Sequence, residues 1–181
     1  MLLHKEHACL LLIDVQEKLT PHVMHKETLI ANCGWLMRLA SDLHIPQLIS
    51  EQYPKGLGKT VAPLSEIAPK QEAIEKVQFS CWRAPLFKEQ LKALNKHQLV
   101  LTGIEAHVCV LQTALDLKAA GFAVFVVADA VSSRAEIDYK YALKRMKQAG
   151  IELVTREMVF FEWIGQAGTA QFKALSKAYL Q

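Results

Sequence analysis

The chain has 181 residues, of which 51% are hydrophobic and 22% are charged, and its formal net charge is +3. This length suits one globular domain with a core that needs no cross-links, so we expect a single domain over residues 1–181. A charge of +3 without a run of Lys or Arg argues against a nucleic-acid partner.

The first apolar segment, at 8–13, is too short to cross a membrane, and Asp14 ends it. A signal peptide is not expected either, because no small-residue cleavage site follows. The chain contains four cysteines: Cys9, Cys33, Cys81 and Cys109. They show neither a CxxC spacing nor the density of a disulfide-stabilised protein. We therefore expect a cytoplasmic protein with reduced thiols and no membrane partner.

Six segments of strand length follow one another along the chain. They are 8–13 (ACLLLI), 46–50 (PQLIS), 72–77 (EAIEKV), 97–103 (HQLVLTG), 122–129 (FAVFVVAD) and 151–155 (IELVT). The runs LLLI and VFVV are continuous rather than alternating, which is typical of parallel strands covered on both faces.

Helical patterns lie between and after these strands. They cover 29–43, 85–94, 107–120, 135–149, 156–163 and 169–180. Pro85 stands in a first turn, where its missing N–H is tolerated, and Gly121 and Gly150 follow helices as C-caps do. The alternation of strands and helices predicts a three-layer α/β/α sandwich with a six-stranded, mainly parallel, Rossmann-like sheet.

Three residues with catalytic chemistry fall at or near strand ends. Asp14 follows the first strand, Lys76 lies in the third, and Cys109 is in the first turn of the helix after the fourth. Taken singly, each residue type has a commoner structural role: Asp as a cap, Lys as a surface residue and Cys as a core residue. The fold, however, gathers all three at the sheet edge where open α/β proteins bind ligands.

The three side chains could support nucleophilic catalysis together. A helix N-terminus and a nearby ammonium lower the pKa of a thiol, so we expect a Cys109 thiolate near neutral pH. The Asp14 carboxylate could accept the thiol proton and later deliver it to a leaving group. Free backbone N–H groups in the turn before the helix could bind an oxyanion.

Four motifs give the chain a family resemblance that covers nearly its whole length. They are LLIDVQ, EKVQFSCW, TGIEAHVCVLQTALDL and FVVADAVSSR. With them the chain resembles the isochorismatase-like cysteine hydrolase superfamily. It is most similar to the isochorismatase domain-containing hydrolases, whose substrates are mostly undefined. The resemblance implies that Asp14, Lys76 and Cys109 form the catalytic triad.

The resemblance also implies a cis peptide bond between Ile104 and Glu105. The oxyanion would then be held by the Glu105–Ala106 segment and the N–H of Cys109. Proximity to the triad in sequence suggests further substrate-binding candidates, although packing is the alternative role for at least half of them. These candidates are Gln16, Tyr53, Phe79, Trp82 and His107. Cys81 is interpreted as an inert buried thiol, with a redox partner of Cys109 as the alternative.

Two departures from related activities narrow the expected reaction. Metal-dependent nicotinamidases of the superfamily carry a D-x-H motif and a further His after the second strand, whereas residues 50–60 here read SEQYPKGLGKT. We therefore expect no metal and no other cofactor. Isochorismatases that cleave a vinyl ether do not depend on a nucleophilic Cys, and this chain retains one. Both departures favour a metal-independent cysteine hydrolase that cleaves a C–N bond of a small amide through a thioester on Cys109.

Other functions stay open at this point. The alternatives are an isochorismatase-type vinyl ether hydrolase and a non-catalytic partner-binding or thiol redox protein on the same fold. A dinucleotide-binding protein is excluded, because DVQEKL after the first strand contains no glycine. The partners we expect are a small-molecule substrate and further copies of the chain, since family members usually self-associate and the last helix, FKALSKAYL, is apolar enough for an interface.

Overall fold

A computed structural model describes residues 1–70 and 72–180. In this part of the chain, six parallel strands form one sheet in the order β3-β2-β1-β4-β5-β6. The strands are β1 Ala8–Ile13, β2 Gln47–Gln52, β3 Ile74–Lys76, β4 Gln98–Ile104, β5 Ala123–Ser132 and β6 Glu152–Val154. Each of them overlaps one predicted segment. Helices cover both faces of the sheet, so the predicted α/β/α sandwich is confirmed.

Six of the eight helices in the described residues fall on predicted helical segments, whereas the two short helices between β2 and β3 were not predicted. The eight helices are α1 Lys26–Asp42, α2 Pro54–Leu57, α3 Ala62–Ser65, α4 Pro85–Ala93, α5 Leu111–Ala119, α6 Glu136–Gln148, α7 Arg156–Ile164 and α8 Ala170–Tyr179. Short 3₁₀ turns occupy Lys5–His7, Thr20–His22 and Cys81–Arg83, and a π-helical turn occupies Ala106–Val110. The predicted helix 107–120 is therefore a π turn that continues into α5.

The two hydrophobic layers explain why the central strands are apolar throughout. In β1, Leu10 and Leu12 face the cluster that includes residues of α1 and α7. Cys9, Leu11 and Ile13 face the opposite cluster, which includes residues of α4 and α5. Because successive side chains of a strand point to opposite faces, both sets are buried and the apolar run has no polar alternation.

The strand order reverses between β1 and β4, and this reversal positions the site. β1 and β4 are neighbours in register, with Ile13 opposite Gly103. Gly103 has φ of +109°, and a Cβ there would lie 2.1 Å from the carbonyl oxygen of Ile13. Glycine is thus required for the ends of the two strands to approach, and the segments that follow them meet at the topological switch point.

The C-terminal helix packs within its own chain. The indole N–H of Trp35 donates to the carbonyl of Tyr179 at 3.2 Å, and the Tyr179 hydroxyl donates to the Asp42 carboxylate at 2.6 Å. Phe172 and Leu175 pack against the α1 side of the core. The apolar side of this helix, expected from the sequence to suit a subunit interface, is partly covered by its own subunit, and none of the residues of the helix is buried. None of the helices in the described residues is long and apolar enough to cross a membrane.

Candidate active site

The Asp14–Lys76 pair forms the buried centre of the site. Asp14 follows β1 in a left-handed conformation with φ of +52°, which Asp tolerates better than most residues. Lys76 ends β3. The Lys76 ammonium donates to Asp14 Oδ2 at 2.7 Å, and neither side chain has exposed surface. Two charges buried this completely stabilise each other only because they are paired.

The remaining protons of Lys76 are also used within the protein. Its Nζ lies 2.7 Å from Gln52 Oε1, 3.2 Å from the carbonyl of Gln78 and 3.1 Å from the carbonyl of Phe79. Burial would lower the pKa of Lys76, but the Asp14 charge, together with the thiols of Cys81 and Cys109, raises it above its usual value. Lys76 is therefore a fixed positive charge, and its N–H groups are already committed to protein acceptors.

Cys109 lies in the π turn, with 5% of its surface exposed, whereas the other three cysteines have none. The π turn is held by Glu105, whose carbonyl accepts from the N–H groups of Val108 at 3.0 Å and Val110 at 3.2 Å. Cys109 is thus the one thiol in the described residues that solvent can reach.

The pKa of Cys109 is raised, not lowered as the sequence led us to expect. Burial is the largest cause, and the Asp14 charge and its hydrogen bond with the thiol act in the same direction. Lys76 opposes them but does not outweigh them. The ammonium is paired with Asp14, so its field at the sulfur is largely offset. The resting thiol is therefore protonated, and the carboxylate whose charge acts on it, Asp14, could accept its proton.

Cys81 is completely buried beside this centre. Its thiol donates to Ser50 Oγ at 3.4 Å, and its backbone N–H donates to Thr113 Oγ1 at 2.9 Å. Burial and the Asp14 charge raise the pKa of Cys81 to about 11, so it is a protonated thiol at neutral pH. The interpretation of Cys81 as a buried thiol agrees with this placement.

The turn before Cys109 carries the expected backbone feature. The peptide bond between Ile104 and Glu105 is cis. The Glu105 carboxylate pairs with Arg134 at 2.7 Å, and His107 Nδ1 lies 2.9 Å from Ser133 Oγ. Two side chains of this turn are therefore tied to the residues that follow β5.

Two of the predicted substrate-binding residues have structural contacts. The Gln16 side chain is buried, donates to the carbonyls of Gln52 and Gly58, and accepts from the Gln52 N–H. It holds the loop after β2 in place and has no polar atom free for a ligand. The Trp82 ring packs edge-on against Phe122, 5.4 Å away, just before β5 begins. Trp82 therefore points toward the opposite end of the sheet from Cys109.

Tyr53 and Phe79 lie close to the Lys76 end of the site. Their side chains are 54% and 51% exposed. Tyr53 and Lys76 line a cavity of about 380 Å³ together with Pro54, Leu86 and neighbouring residues. A separate cavity of about 630 Å³ lies at the end of β5, and no triad residue lines it. The smaller cavity lies beside Lys76, but neither Asp14 nor Cys109 lines it, and the Lys76 side chain has no exposed surface.

Ser50 and Gln52 complete the centre and were not identified from the sequence. Ser50 donates to Asp14 Oδ1 at 2.7 Å, and Gln52 accepts from Lys76. Both come from the polar end of β2, SEQ, whose three residues are all buried. A polar run inside an otherwise buried strand was the signal that could have identified them, because buried polar side chains need partners.

The described residues contain no group of three or more His, Cys, Asp or Glu side chains arranged to hold a metal ion. Instead, polar atoms around Asp14 and Lys76 are paired with one another. In this arrangement the Asp14 carboxylate can accept the proton of the Cys109 thiol while the Lys76 ammonium beside it stays positively charged. This combination suits nucleophilic chemistry by a cysteine.

The site lies in a fold that known proteins share. The family profile described as Isochorismatase domain matches residues 8–158, and the chain belongs to this family. Isochorismatase domain-containing protein 2 of Danio rerio is 39% identical over 169 residues, which are 93% of this chain and 84% of the relative. Family membership supports a hydrolase activity, and a small molecule as the class of substrate.

Solved structures show the same fold. The MAR1 ribonuclease of Caenorhabditis elegans superposes with a TM-score of 0.93 at 38% identity, covering 100% of this chain and 93% of that one. YcaC of Escherichia coli, described as an octameric hydrolase of unknown specificity, gives 0.91 at 30% identity, with coverages of 99% and 91%. YcaC of Pseudomonas aeruginosa, solved with hexane-2,5-diol and covalent acrylamide, gives 0.91 at 27%, with coverages of 99% and 92%.

Proposed function

We propose that the protein is a metal-independent cysteine hydrolase that cleaves a C–N bond of a small amide through a thioester on Cys109. The observation that carries this proposal is the fully buried Asp14–Lys76 ion pair at 2.7 Å, with the Cys109 thiol close enough for the Asp14 charge to raise its pKa. A thiol with a raised pKa needs a base in contact with it, and Asp14 is that base.

The reaction begins when Asp14 takes the Cys109 proton and the thiolate attacks the amide carbonyl carbon. The new S–C bond places a negative charge on the carbonyl oxygen, which the N–H groups of Glu105, Ala106 and Cys109 stabilise. When the tetrahedral intermediate collapses, the C–N bond breaks and Asp14 delivers the proton to the leaving nitrogen. The amine departs, and an acyl group stays on the sulfur as a thioester.

Asp14 also transfers the protons in hydrolysis of the thioester, this time from water to the sulfur. Asp14 removes a proton from water, and the resulting hydroxide attacks the thioester carbon. The C–S bond breaks, the sulfur recovers its proton from Asp14, and a carboxylic acid leaves. The complete cycle returns Asp14 and Cys109 to the protonation states in which it began.

Lys76 acts in this mechanism as a fixed charge. Its ammonium faces Asp14 Oδ2 and three further acceptor oxygens, so it does not exchange protons with the substrate. Because its pKa is raised, it stays charged throughout the neutral range. It balances the negative charge that Asp14 and the sulfur share while the thiolate forms.

A cavity next to the site has a volume that suits a small substrate. The cavity beside Lys76 is about 380 Å³, and Tyr53 forms part of its wall. We assign Tyr53, Phe79 and His107 to substrate contact, since they flank the triad with exposed or half-buried side chains. The P. aeruginosa protein held covalent acrylamide, a small electrophile that carries an amide. This supports a nucleophile that is accessible to molecules of that size.

A ribonuclease activity is the competing function, because the C. elegans protein bears that description. The buried position of Asp14 and Lys76 and the mild net charge of +3 favour a small amide over a polymer of phosphates. We also propose a homo-oligomer, since the E. coli protein is described as octameric. Light scattering of the purified chain measures its subunit number.

The experiment is a screen of small amides and carbamates, followed by acid quenching and mass spectrometry of the peptide that contains Cys109. We expect an acyl adduct on Cys109, no turnover by Cys109→Ala, and undiminished turnover after prolonged chelation. Labelled RNA serves as a parallel substrate. Wild-type turnover by Cys109→Ala would contradict the thioester mechanism, and RNA cleavage that requires Asp14 would favour the ribonuclease.

A further inference from the structure

We propose that Ser50, itself held by the Cys81 thiol, is a positioning residue that keeps Asp14 in its ionised, proton-accepting state. The inference depends on the proposed function in one respect, which is that Asp14 acts as the base. It assigns a role to two buried side chains that the mechanism above leaves unused.

The hydrogen-bond directions define the role of Ser50. Asp14 Oδ1 accepts from Ser50 Oγ at 2.7 Å, while Oδ2 accepts from Lys76 at the same distance. A hydroxyl that donates to a carboxylate oxygen stabilises the anion and disfavours a proton on that oxygen. Both oxygens of Asp14 are therefore occupied by donors in the resting state.

Cys81 fixes the direction in which the Ser50 hydroxyl points. Its sulfur donates to Ser50 Oγ at 3.4 Å, which occupies a lone pair of that oxygen. A hydroxyl has one proton, so Ser50 directs it to Asp14. Burial keeps Cys81 protonated, and it has no exposed surface that would give it a nucleophilic role of its own.

The electrostatic surroundings of Asp14 come from three elements. The titratable groups that act on it are Lys76 of β3, Cys81 of the following 3₁₀ turn and Cys109 of the π turn. Ser50 of β2 is the neutral donor among them. Asp14 must release its proton again after each transfer from Cys109. A hydrogen-bond donor on Oδ1 stabilises the carboxylate and so favours loss of that proton. The hydrogen bonds from Cys81 to Ser50 and from Ser50 to Asp14 therefore help Asp14 to return to its ionised form.

The test measures the ionisation of Asp14 directly and requires no substrate. The chain has five aspartates, so protein labelled with ¹³C at the aspartate carboxyl carbons gives a simple NMR spectrum. The Asp14 signal is the one missing from Asp14→Asn. In Ser50→Ala we expect this signal to titrate at higher pH than in the wild type, because the carboxylate loses a charge-assisted hydrogen bond. Ser50→Thr, which retains the hydroxyl, should restore the wild-type midpoint.

Two further variants separate this role from general packing. Thr102→Val removes a different buried strand hydroxyl, which bonds the carbonyl of Leu11 at 3.0 Å, and should leave the Asp14 midpoint unchanged. Cys81→Ala should raise the midpoint by less than Ser50→Ala does. If Ser50→Ala does not fold, Cys81→Ala still allows the titration of Asp14 to be measured.

An unchanged Asp14 midpoint in both Ser50→Ala and Cys81→Ala would overturn the inference, and so would equal shifts in Thr102→Val. A shifted midpoint in a protein that hydrolyses no amide would support the role of Ser50 and count against the proposed function alone. The two proposals thus fail on different observations.

Discussion

Lys76 and Asp14 are 62 residues apart in sequence, yet their side chains meet at 2.7 Å without any exposed surface. The pair joins the end of an edge strand to the end of a central one, across β2. Each charge depends on the other, because an isolated ion in this position would have no solvent to stabilise it.

Removing one charge of this pair should harm the protein more than removing both. Lys76→Met or Asp14→Asn alone leaves the partner without its counter-ion, which destabilises folding by about 3–5 kcal/mol. The double variant should recover much of this stability but no turnover, since Asp14 is the proposed base. Urea unfolding of the four proteins measures the coupling. Strictly additive losses would contradict the pairing.

Cys109 should be the cysteine that reacts with iodoacetamide in the folded protein. It is 5% exposed, and the other three thiols have no exposed surface. Because its pKa is raised, labelling should be slow at neutral pH, accelerate as the pH rises, and slow further in Lys76→Met. Mass spectrometry of the labelled peptides gives the rates, with Cys109→Ala as the control. Equal labelling of all four thiols would count against this site.

The contribution of Lys76 to stability should be lost at high pH. Its pKa is raised above the unfolded value of 10.5, so folding favours the charged form. That contribution is fully present below about pH 10.5 and declines as the pH rises through the folded value. The difference in unfolding free energy between wild type and Lys76→Met should therefore be constant from pH 7 to 10 and shrink above that. A difference that grows at high pH would reverse the assignment.

Gly103→Ala should be far more damaging than Gly121→Ala, although both glycines have positive φ. A Cβ at Gly103 would lie 2.1 Å from the Ile13 carbonyl oxygen, whereas one at Gly121 would meet nothing within 4 Å. We expect a loss of about 1 kcal/mol for Gly121→Ala, from backbone strain alone, and more than about 4 kcal/mol for Gly103→Ala. Thermal unfolding of the two variants tests this, and similar melting temperatures would be inconsistent with the close approach of β1 and β4.

The sequence predicted the α/β/α architecture because each strand and helix is indicated by a pattern of residues that are close together in the chain. A strand covered on both faces must be apolar along its length, so ACLLLI predicted the strand Ala8–Ile13. The alternation of strands and helices then fixed parallel connections, and parallel strands bring the residues after them to one edge. For this reason Asp14, Lys76 and Cys109 could be selected together before any distance was known.

What the sequence could not determine depends on contacts between distant segments. The pKa of Cys109 depends on how much of the positive charge of Lys76 is neutralised by Asp14. Their ion pair at 2.7 Å leaves Lys76 little effect on the sulfur, and the sequence does not give that distance. Trp82 and Cys81 are adjacent in the 3₁₀ turn, yet Trp82 packs against Phe122 whereas Cys81 bonds Ser50. Local periodicity carries no information about such directions, because they are decided by the packing of the whole sheet and its helices.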